Sequence, residues 1–320
     1  MKKLCTLLAL IMLLTCISVT GCTEEPQPNP ATDFEYEIRD DGGIIITKYI
    51  GEGSHVIIPQ IIDGKEVTTI GEHSFAGTPI QSIQMPDTIK YIYSYAFGSC
   101  DGLSEIEMSA SLISIAQRAF FNCISLTYID LSMDTIQYID YEVFLDCINI
   151  KTVIFGDNIV RIRDKAFYGC SSLEEIILPK NLQEIGEYAF GNCNSVQKIW
   201  IPKTLEKWGF TPFLGIQSVS EIIFEDGLKQ IGSINDIFCY GGQMETITIP
   251  ASVEFITEAA FVDCMKLKEI YFEGAAPQIG TGKFINFVTP EQDVKIYYDP
   301  AMPGWDTTPL REIYSLVPLS

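Results

Sequence analysis

Histidine is nearly absent from this chain of 320 residues, which contains only His55 and His73. Neither belongs to a His-Glu-x-x-His pair, and neither a P-loop nor a Gly-x-Gly-x-x-Gly fingerprint occurs. The sequence therefore lacks the usual signatures of zinc hydrolases, nucleotide hydrolases and dinucleotide-dependent enzymes. Carboxylates are plentiful, but nothing in the sequence places two of them in one cleft. We therefore expect no cofactor, no metal site and no enzymatic activity.

Basic residues are also scarce. The chain has 21 Lys and Arg against 42 Asp and Glu, a formal net charge of −21. Neutralising phosphates requires clustered Lys and Arg, so nucleic acid and anionic membrane surfaces are unfavourable partners. The acidity is typical of a soluble, exported protein.

Long apolar runs are limited to one N-terminal segment. Lys2-Lys3 precede an apolar stretch of 16 residues from Leu4 to Val19, which is short for a membrane-spanning helix of about 20. Val19-Thr20-Gly21-Cys22 resembles a bacterial lipobox, which predicts a lipoprotein signal peptide over 1–22 and lipidation of Cys22. The alternative is ordinary secretory cleavage beside a chance cysteine. Residues 23–32 are polar and proline-rich, which predicts a flexible spacer.

The rest of the chain repeats itself. Phenylalanine recurs nine times at spacings of 22 to 25, at Phe75, Phe97, Phe120, Phe144, Phe167, Phe190, Phe213, Phe238 and Phe261. The clearest copy reads Leu178-Pro179-x-x-Leu182-x-x-Ile185-Gly186-x-x-Ala189-Phe190-x-x-Cys193-x-x-Val196-x-x-Ile199-x-Ile201-Pro202. A period in the twenties predicts a solenoid, in which stacked coils share one core.

Each coil should contribute one parallel strand, such as 173–178, with Ile176 and Leu178 inward and Glu175 and Ile177 outward. Alternating apolar residues broken by Asp-Gly predict a β-rich N-terminal cap over 33–70. The solenoid should then occupy 71–272, and a C-terminal cap 273–320.

The repeat resembles the leucine-rich repeat of the BspA-like (Treponema-type) surface lipoprotein family over residues 71 to about 272. Ile44-Ile45-Ile46-Thr47-Lys48-Tyr49 and Tyr271-Phe272-Glu273-Gly274-Ala275-Ala276-Pro277 are also similar to capping segments of that family. The resemblance implies a leucine-rich repeat solenoid of about nine stacked 23-residue coils with a parallel β-sheet and two caps. It also implies a surface protein that adheres to host matrix proteins or to other bacteria.

Six cysteines lie three residues after a repeat phenylalanine, at Cys100, Cys123, Cys147, Cys170, Cys193 and Cys264. Equivalent side chains in stacked coils point in parallel, which favours a ladder of buried thiols over disulfides. Metal binding is less favoured still, because the spacing of 23 is the coil period and no histidine accompanies it. Gly98-Ser99-Cys100-Asp101-Gly102 has the outline of a nucleophile elbow, but the repeat already explains Cys100. Cys239 is out of register and cannot be assigned.

One outward position of the strands predicts a binding surface. It reads Gln84, Glu107, Asp130, Ile154, Ile177, Trp200, Ile223, Thr248 and Tyr271 through successive coils. Four consecutive apolar residues, from Ile154 to Ile223, would form a stripe roughly 15 Å long, and exposed apolar stripes often mark interaction sites. Tyr271 of the same column, with Tyr128 and Lys198 from the parallel outward column, completes the candidate site. The alternative is that β-branched residues simply favour strands.

The sequence therefore predicts a non-enzymatic protein, exported and lipid-anchored to the bacterial cell envelope, that binds host matrix or bacterial surface proteins. A glycan is a possible partner, and the membrane is contacted only through the N-terminal lipid. Two alternatives remain open. An envelope scaffold would have the stripe covered, and a glycan-binding or hydrolytic protein would have Trp200 and Tyr271 beside convergent carboxylates.

Overall fold

A computed structural model describes residues 26–232, 242–257, 260–261, 264–280 and 294–319. Cys22, Phe238 and Cys239 lie outside these residues. The described part consists of short strands and tight turns, with two 3₁₀ helices at Ala31–Asp33 and Pro309–Glu312. None of its helices has the length and apolarity of a membrane span.

The strands are β1 Phe34–Ile38, β2 Ile44–Tyr49, β3 His55–Ile57, β4 Ile61–Ile62, β5 Lys65–Ile70, β6 Ser82–Gln84, β7 Tyr91–Ile92, β8 Glu105–Glu107, β9 Ser114–Ile115, β10 Tyr128–Leu131, β11 Tyr138–Ile139, β12 Thr152–Phe155, β13 Arg161–Ile162, β14 Glu175–Ile177, β15 Glu184–Ile185, β16 Lys198–Ile201, β17 Lys207–Trp208, β18 Glu221–Phe224, β19 Gln230–Ile231, β20 Thr246–Ile249, β21 Phe255–Ile256, β22 Glu269–Phe272, β23 Gln278–Ile279, β24 Lys295–Tyr298 and β25 Ser315–Pro318.

Each coil contributes two strands and one turn. From β6 onward the even-numbered strands stack in parallel as sheet A, which β3 begins and β25 ends. The odd-numbered strands from β5 to β23 stack as sheet B on another side of the coil. Equivalent residues pair in register; Ile199 of β16, for example, pairs with Ile176 before it and Ile222 after it. This alignment places each repeat position in one column along the solenoid.

The repeat phenylalanines form a continuous stack on the turn side. From Phe75 to Phe190 neighbouring ring centroids are 5.0–5.3 Å apart, and all these rings are fully buried. The turns bond to each other as well, since each phenylalanine N–H donates to a carbonyl of the next coil, as from Phe144 to Ala166 at 2.8 Å.

Each such turn has one residue in the left-handed backbone region two positions before the phenylalanine, and another two positions after it. Gly77, Asn122 and Asp146, which tolerate that region, occupy the later position.

The cysteine ladder has the predicted arrangement and one feature that the sequence did not reveal. All six repeat cysteines are buried, and the five from Cys100 to Cys193 are free thiols. Each thiol from Cys100 to Cys193 donates to the carbonyl of the phenylalanine one coil earlier, for example Cys147 to Phe120 at 2.9 Å. Each thiol thus supplies a hydrogen bond to a phenylalanine carbonyl. Valine or alanine at the cysteine position could not donate this bond.

The caps continue the stack. β1 and β2 form an antiparallel hairpin, and β2 pairs in parallel with β5 of sheet B. Asn29, in the predicted spacer, covers the starting edge of sheet A by bonding to both main-chain groups of Ile57 at 2.8 and 2.9 Å. At the other end Trp305 is buried against Phe272 and Tyr298 and donates to the carbonyl of Gly274 at 3.0 Å.

The predicted solenoid with two caps is confirmed, but the count of nine coils was too low. The structure has about eleven. The difference arises because β3 and β24, which lie in the predicted caps, join the two ends of sheet A as further coils. Proposed boundaries between caps and solenoid remain predictions.

The phenylalanine stack predicts a large loss of stability on truncation. Replacing Phe144 by alanine removes a fully buried ring from between two others. We expect a loss of about 3–5 kcal/mol in the free energy of unfolding, measured by thermal and denaturant unfolding. Ile148→Ala, at an exposed side chain of the same coil, is the control and should change it by less than about 0.5 kcal/mol. Similar losses for both variants would contradict a stack that stabilises the coils.

The buried thiols predict a specific alkaline effect. Burial, the largest cause, raises the pKa of Cys100 from 9.0 to about 12. The folded state therefore holds this proton where the unfolded state loses it, so the contribution is complete below pH 9 and is lost between pH 9 and about 12. The stability difference between the native chain and Cys100→Ala should be constant below pH 9 and shrink above it. A difference independent of pH across this range would contradict the assignment.

Candidate functional site

The predicted outward column lies on the solvent side of sheet A. Asp130 pairs in register with Ile154, and Ile177 with Trp200 and then Ile223. Their inward neighbours Ile129, Ile176 and Ile199 are buried in the core. Strand alternation therefore places these outward side chains on one surface.

The four apolar residues of this column are all accessible. Ile154 and Ile177 expose 38% and 42% of their surface, and Trp200 and Ile223 are half-buried. We call Ile154, Ile177, Trp200 and Ile223 the apolar stripe. An accessible tryptophan at its centre is informative, because Trp208 and Trp305 are buried.

A groove of about 520 Å³ opens beside the stripe. Its lining is largely apolar and includes Val153, Ile154, Phe155, Ile177, Pro179 and Trp200. Val153 and Phe155 were not predicted to belong to the surface. They occupy inward positions that are buried in most other coils, yet both are half-buried here.

The groove exists because sheet A is interrupted. Within residues 26–232, neighbouring strands of sheet A fail to pair at two places, between β8 and β10 and between β12 and β14. At the second place the coils stay joined elsewhere, since β13 pairs with β15 and Phe167 stacks on Phe190 at 5.1 Å. The coils have therefore parted on the sheet A side alone, and we call this opening the β12–β14 slot.

A polar groove of about 770 Å³ adjoins the slot at the beginning of the same strands. It is lined by Lys151, Thr152, Ser172, Glu174, Glu175, Ser195, Gln197, Lys198, Ser220 and Glu221. Lys198 and Glu221 form an ion pair at 3.0 Å. Glu174 and Glu175 are exposed and form no ion pair with a described residue. The two grooves together form one surface with an apolar half and a polar half.

Tyr128 lies beside this centre, since it pairs in register with Thr152, which lines both grooves, whereas Tyr271 lies apart from it. Tyr128 is exposed on β10, two strands before β14. Tyr271 is three strands beyond Trp200, stacked on Tyr297 with centroids 4.6 Å apart, and its hydroxyl donates to Glu269 at 2.8 Å. Hydrogen bonding to Glu269 raises the pKa of Tyr271. Tyr271 therefore does not flank the same groove as Trp200.

The outward column continues beyond the predicted residues. After Ile223 it passes through Thr248 and Tyr271 to Tyr297 and Val317, whereas before Ile154 it consists of Gln84, Glu107 and Asp130. This outward column is thus polar or acidic in its first coils and mainly apolar from Ile154 onward.

The described residues give little support for a catalytic site at Cys100 or at a metal ion. Cys100 is fully buried, its thiol donates to the carbonyl of Phe75 at 3.0 Å, and burial raises its pKa to about 12. A thiol held protonated in this way is a poor nucleophile. Among the described residues, no group of three or more His, Cys, Asp and Glu has the arrangement of a metal site.

Stacked coils of two short strands, a phenylalanine turn and an open sheet face define a repeat solenoid that offers a surface instead of an enclosed pocket. The family model for the BspA type leucine rich repeat region matches residues 55–174 and 160–289, in six copies. The chain therefore belongs to the BspA-type leucine-rich repeat family. This membership indicates a role in protein interaction.

Solved leucine-rich repeat structures are similar to the chain. The protein from T. pallidum is 25% identical, with 75% of this chain and 91% of that one covered and a TM-score of 0.46. A leucine rich cell surface protein from Faecalibacterium prausnitzii is 19% identical (78% and 89% covered, TM-score 0.43). The pneumococcal vaccine antigen PcpA is 17% identical (90% and 96% covered, TM-score 0.41). No curated protein matched the chain.

The accessibility of Trp200 gives a direct test of the site. Trp208 is 7% and Trp305 is 2% exposed, so acrylamide should quench mainly the emission of Trp200. Trp200→Phe should remove most of the quenchable fluorescence, whereas Trp208→Phe should leave it. Equal quenching in both variants would mean that Trp200 is covered in solution.

Proposed function

We propose that this chain is an exported surface protein that binds another protein through the apolar stripe and the grooves beside it, without catalysing a reaction. The observation that carries the proposal is the accessible stripe of Ile154, Ile177, Trp200 and Ile223 next to a groove of about 520 Å³. Tryptophan and aliphatic side chains that are accessible before binding are typical anchors of protein interfaces.

The proposed location rests on the N-terminal sequence. Val19-Thr20-Gly21-Cys22 supports lipidation of Cys22 and anchoring to the cell envelope, and the polar segment after it supports display away from the membrane. The solved structure from F. prausnitzii is described as a cell surface protein, which agrees with this location. Host matrix proteins and bacterial surface proteins are the partners that we propose to test first.

The geometry supports protein binding better than either alternative. A glycan-binding or hydrolytic site needed Trp200 and Tyr271 to flank a groove, but three strands separate them and Tyr271 stacks on Tyr297. An envelope scaffold needed the stripe to be covered within the chain or by self-association. No described residue covers Ile154 or Ile177, and a formal charge of −21 opposes self-association. Protein binding is the function that this surface supports best.

A binding screen tests the proposal. Residues 23–320 without lipid would be screened against matrix proteins, bacterial surface extracts and glycans, beside the double variant Trp200→Asp, Ile177→Asp. Burying two carboxylates at an interface is strongly unfavourable, so a partner that uses the stripe should bind this variant at least about 100-fold more weakly.

The matched control replaces two exposed isoleucines of the N-terminal cap by aspartate, Ile38 and Ile61. This control should bind normally, and circular dichroism should show that all variants are folded. A partner that binds the stripe variant and the native chain equally would place the interface elsewhere. Glycans as the only ligands would contradict a protein-binding role.

A further inference from the structure

β12 is paired with β10 on one side and is not paired with β14 on the other. In the pairing of β10 with β12, the N–H of Thr152 donates to Thr127 and that of Gly156 to Leu131. Since main-chain groups alternate in direction along a strand, the N–H and C=O groups of Val153 and Phe155 point away from β10 and into the slot. β12 and β14 belong to separate sheets, so the pairing of sheet A stops at these groups.

The slot is bounded at both ends, so it is a local opening in an otherwise closed stack. Before it, the N–H of Glu174 donates to Lys151 at 3.1 Å, and after it the N–H of Gln183 donates to Val160 at 2.9 Å. Asp157 and Lys180 also form an ion pair at 3.3 Å across the two coils. The free edge therefore spans only the residues of β12 itself.

β12 is less deeply buried than the strand after it. Its inward side chains Val153 and Phe155 are half-buried, whereas Ile176 of β14 and Leu178, which follows β14, are each 1% exposed. Phe155 keeps contact with the core through the edge of Phe167, at 5.5 Å and nearly perpendicular. β12 thus offers a raised strand edge directly beside the apolar stripe.

We propose that the β12 edge takes an extended polypeptide segment of the partner, paired through the main-chain groups of Val153 and Phe155. This inference rests on the proposed function and adds the form of the ligand. Unpaired strand edges bind extended chains because main-chain hydrogen bonds supply affinity and alternate side chains enter pockets. Here the pocket is the apolar groove lined by Ile154, Ile177 and Trp200.

The charged side chains at the beginning of the slot indicate which charge the partner segment should have. Ion pairs already neutralise Lys180 and Lys198, which leaves the carboxylates of Glu174 and Glu175 against Lys151 at the beginning of the slot. The segment should therefore have aliphatic residues at alternate positions and a Lys or Arg at the end over Glu174 and Glu175. A second copy of this chain is a poor occupant, because two chains of formal charge −21 repel each other.

Hydrogen exchange of the full chain, purified in detergent, tests the free edge without any ligand. The amides of Val153 and Phe155 should exchange at least about 100-fold faster than those of Ile199 and Ile201, the equivalent residues of a strand that is paired on both sides. Equal protection at the two strands would show that the slot is closed in solution, and would overturn the inference.

Proline substitution tests the same edge and prepares the binding experiment. The N–H of Val153 lies on the side of β12 that has no paired strand, so Val153→Pro should leave the pairing with β10 intact, as proline on a free edge is tolerated. Ile199→Pro breaks the pairing of β16 and should lower the melting temperature far more. A melting temperature for Val153→Pro as low as that of Ile199→Pro would contradict the unpaired edge.

Random decapeptides displayed on phage would then be selected on the full chain. We expect peptides with alternating aliphatic residues and a basic end that slow exchange at Val153 and Phe155, lose binding to Trp200→Asp, and bind Val153→Pro about 5- to 10-fold more weakly.

Peptides that need Trp200 but neither protect β12 nor respond to Val153→Pro would overturn strand pairing and leave the proposed function standing. If no peptide depends on Trp200, the inference fails, and the protein screen decides the proposed function separately.

Discussion

Stacking of the turn side holds this solenoid together. A single coil has no core of its own, and its phenylalanine is buried only because the rings before and after it lie about 5 Å away. Main-chain bonds between the same turns, and thiol-to-carbonyl bonds from the cysteines, add two further columns of contacts there. From Phe75 to Phe190 the stack passes without a gap through coils whose sheets are interrupted.

Because the turn side holds the coils together, sheet A does not have to be paired continuously. Because the turn column and β13–β15 pairing hold adjacent coils together, β12 and β14 can part without separating the coils. The opening exposes inward side chains and unpaired main-chain groups, both of which are unfavourable in an isolated protein. Such groups are well placed for a ligand that pairs with them, and they lie next to the only described tryptophan with an accessible ring.

Periodicity predicted the fold, the direction of each side chain in a strand, the phenylalanine core and the buried cysteines, since each follows from one residue type recurring at one interval. The slot could not be predicted, because it breaks the period. Phe155 is a bulky residue at the last position of β12. The equivalent residues of the next two coils, Leu178 and Ile201, are smaller, and β14 and β16 in those coils pair with each other. Yet Phe272 has the same bulk on β22, which pairs with β24. Bulk at this position therefore does not identify the interruption.

The acidity of the chain is better understood as a property of the surface than as a source of stability. Several bases pair with a carboxylate one coil away, as in Lys180–Asp157, Lys198–Glu221 and Arg161–Glu184. Exposed pairs of this kind contribute about 1 kcal/mol or less each, so they align coils more than they stabilise them. The excess carboxylates remain unpaired, which opposes self-association. An apolar stripe on a surface of one sign can therefore stay open until a partner of suitable charge reaches it.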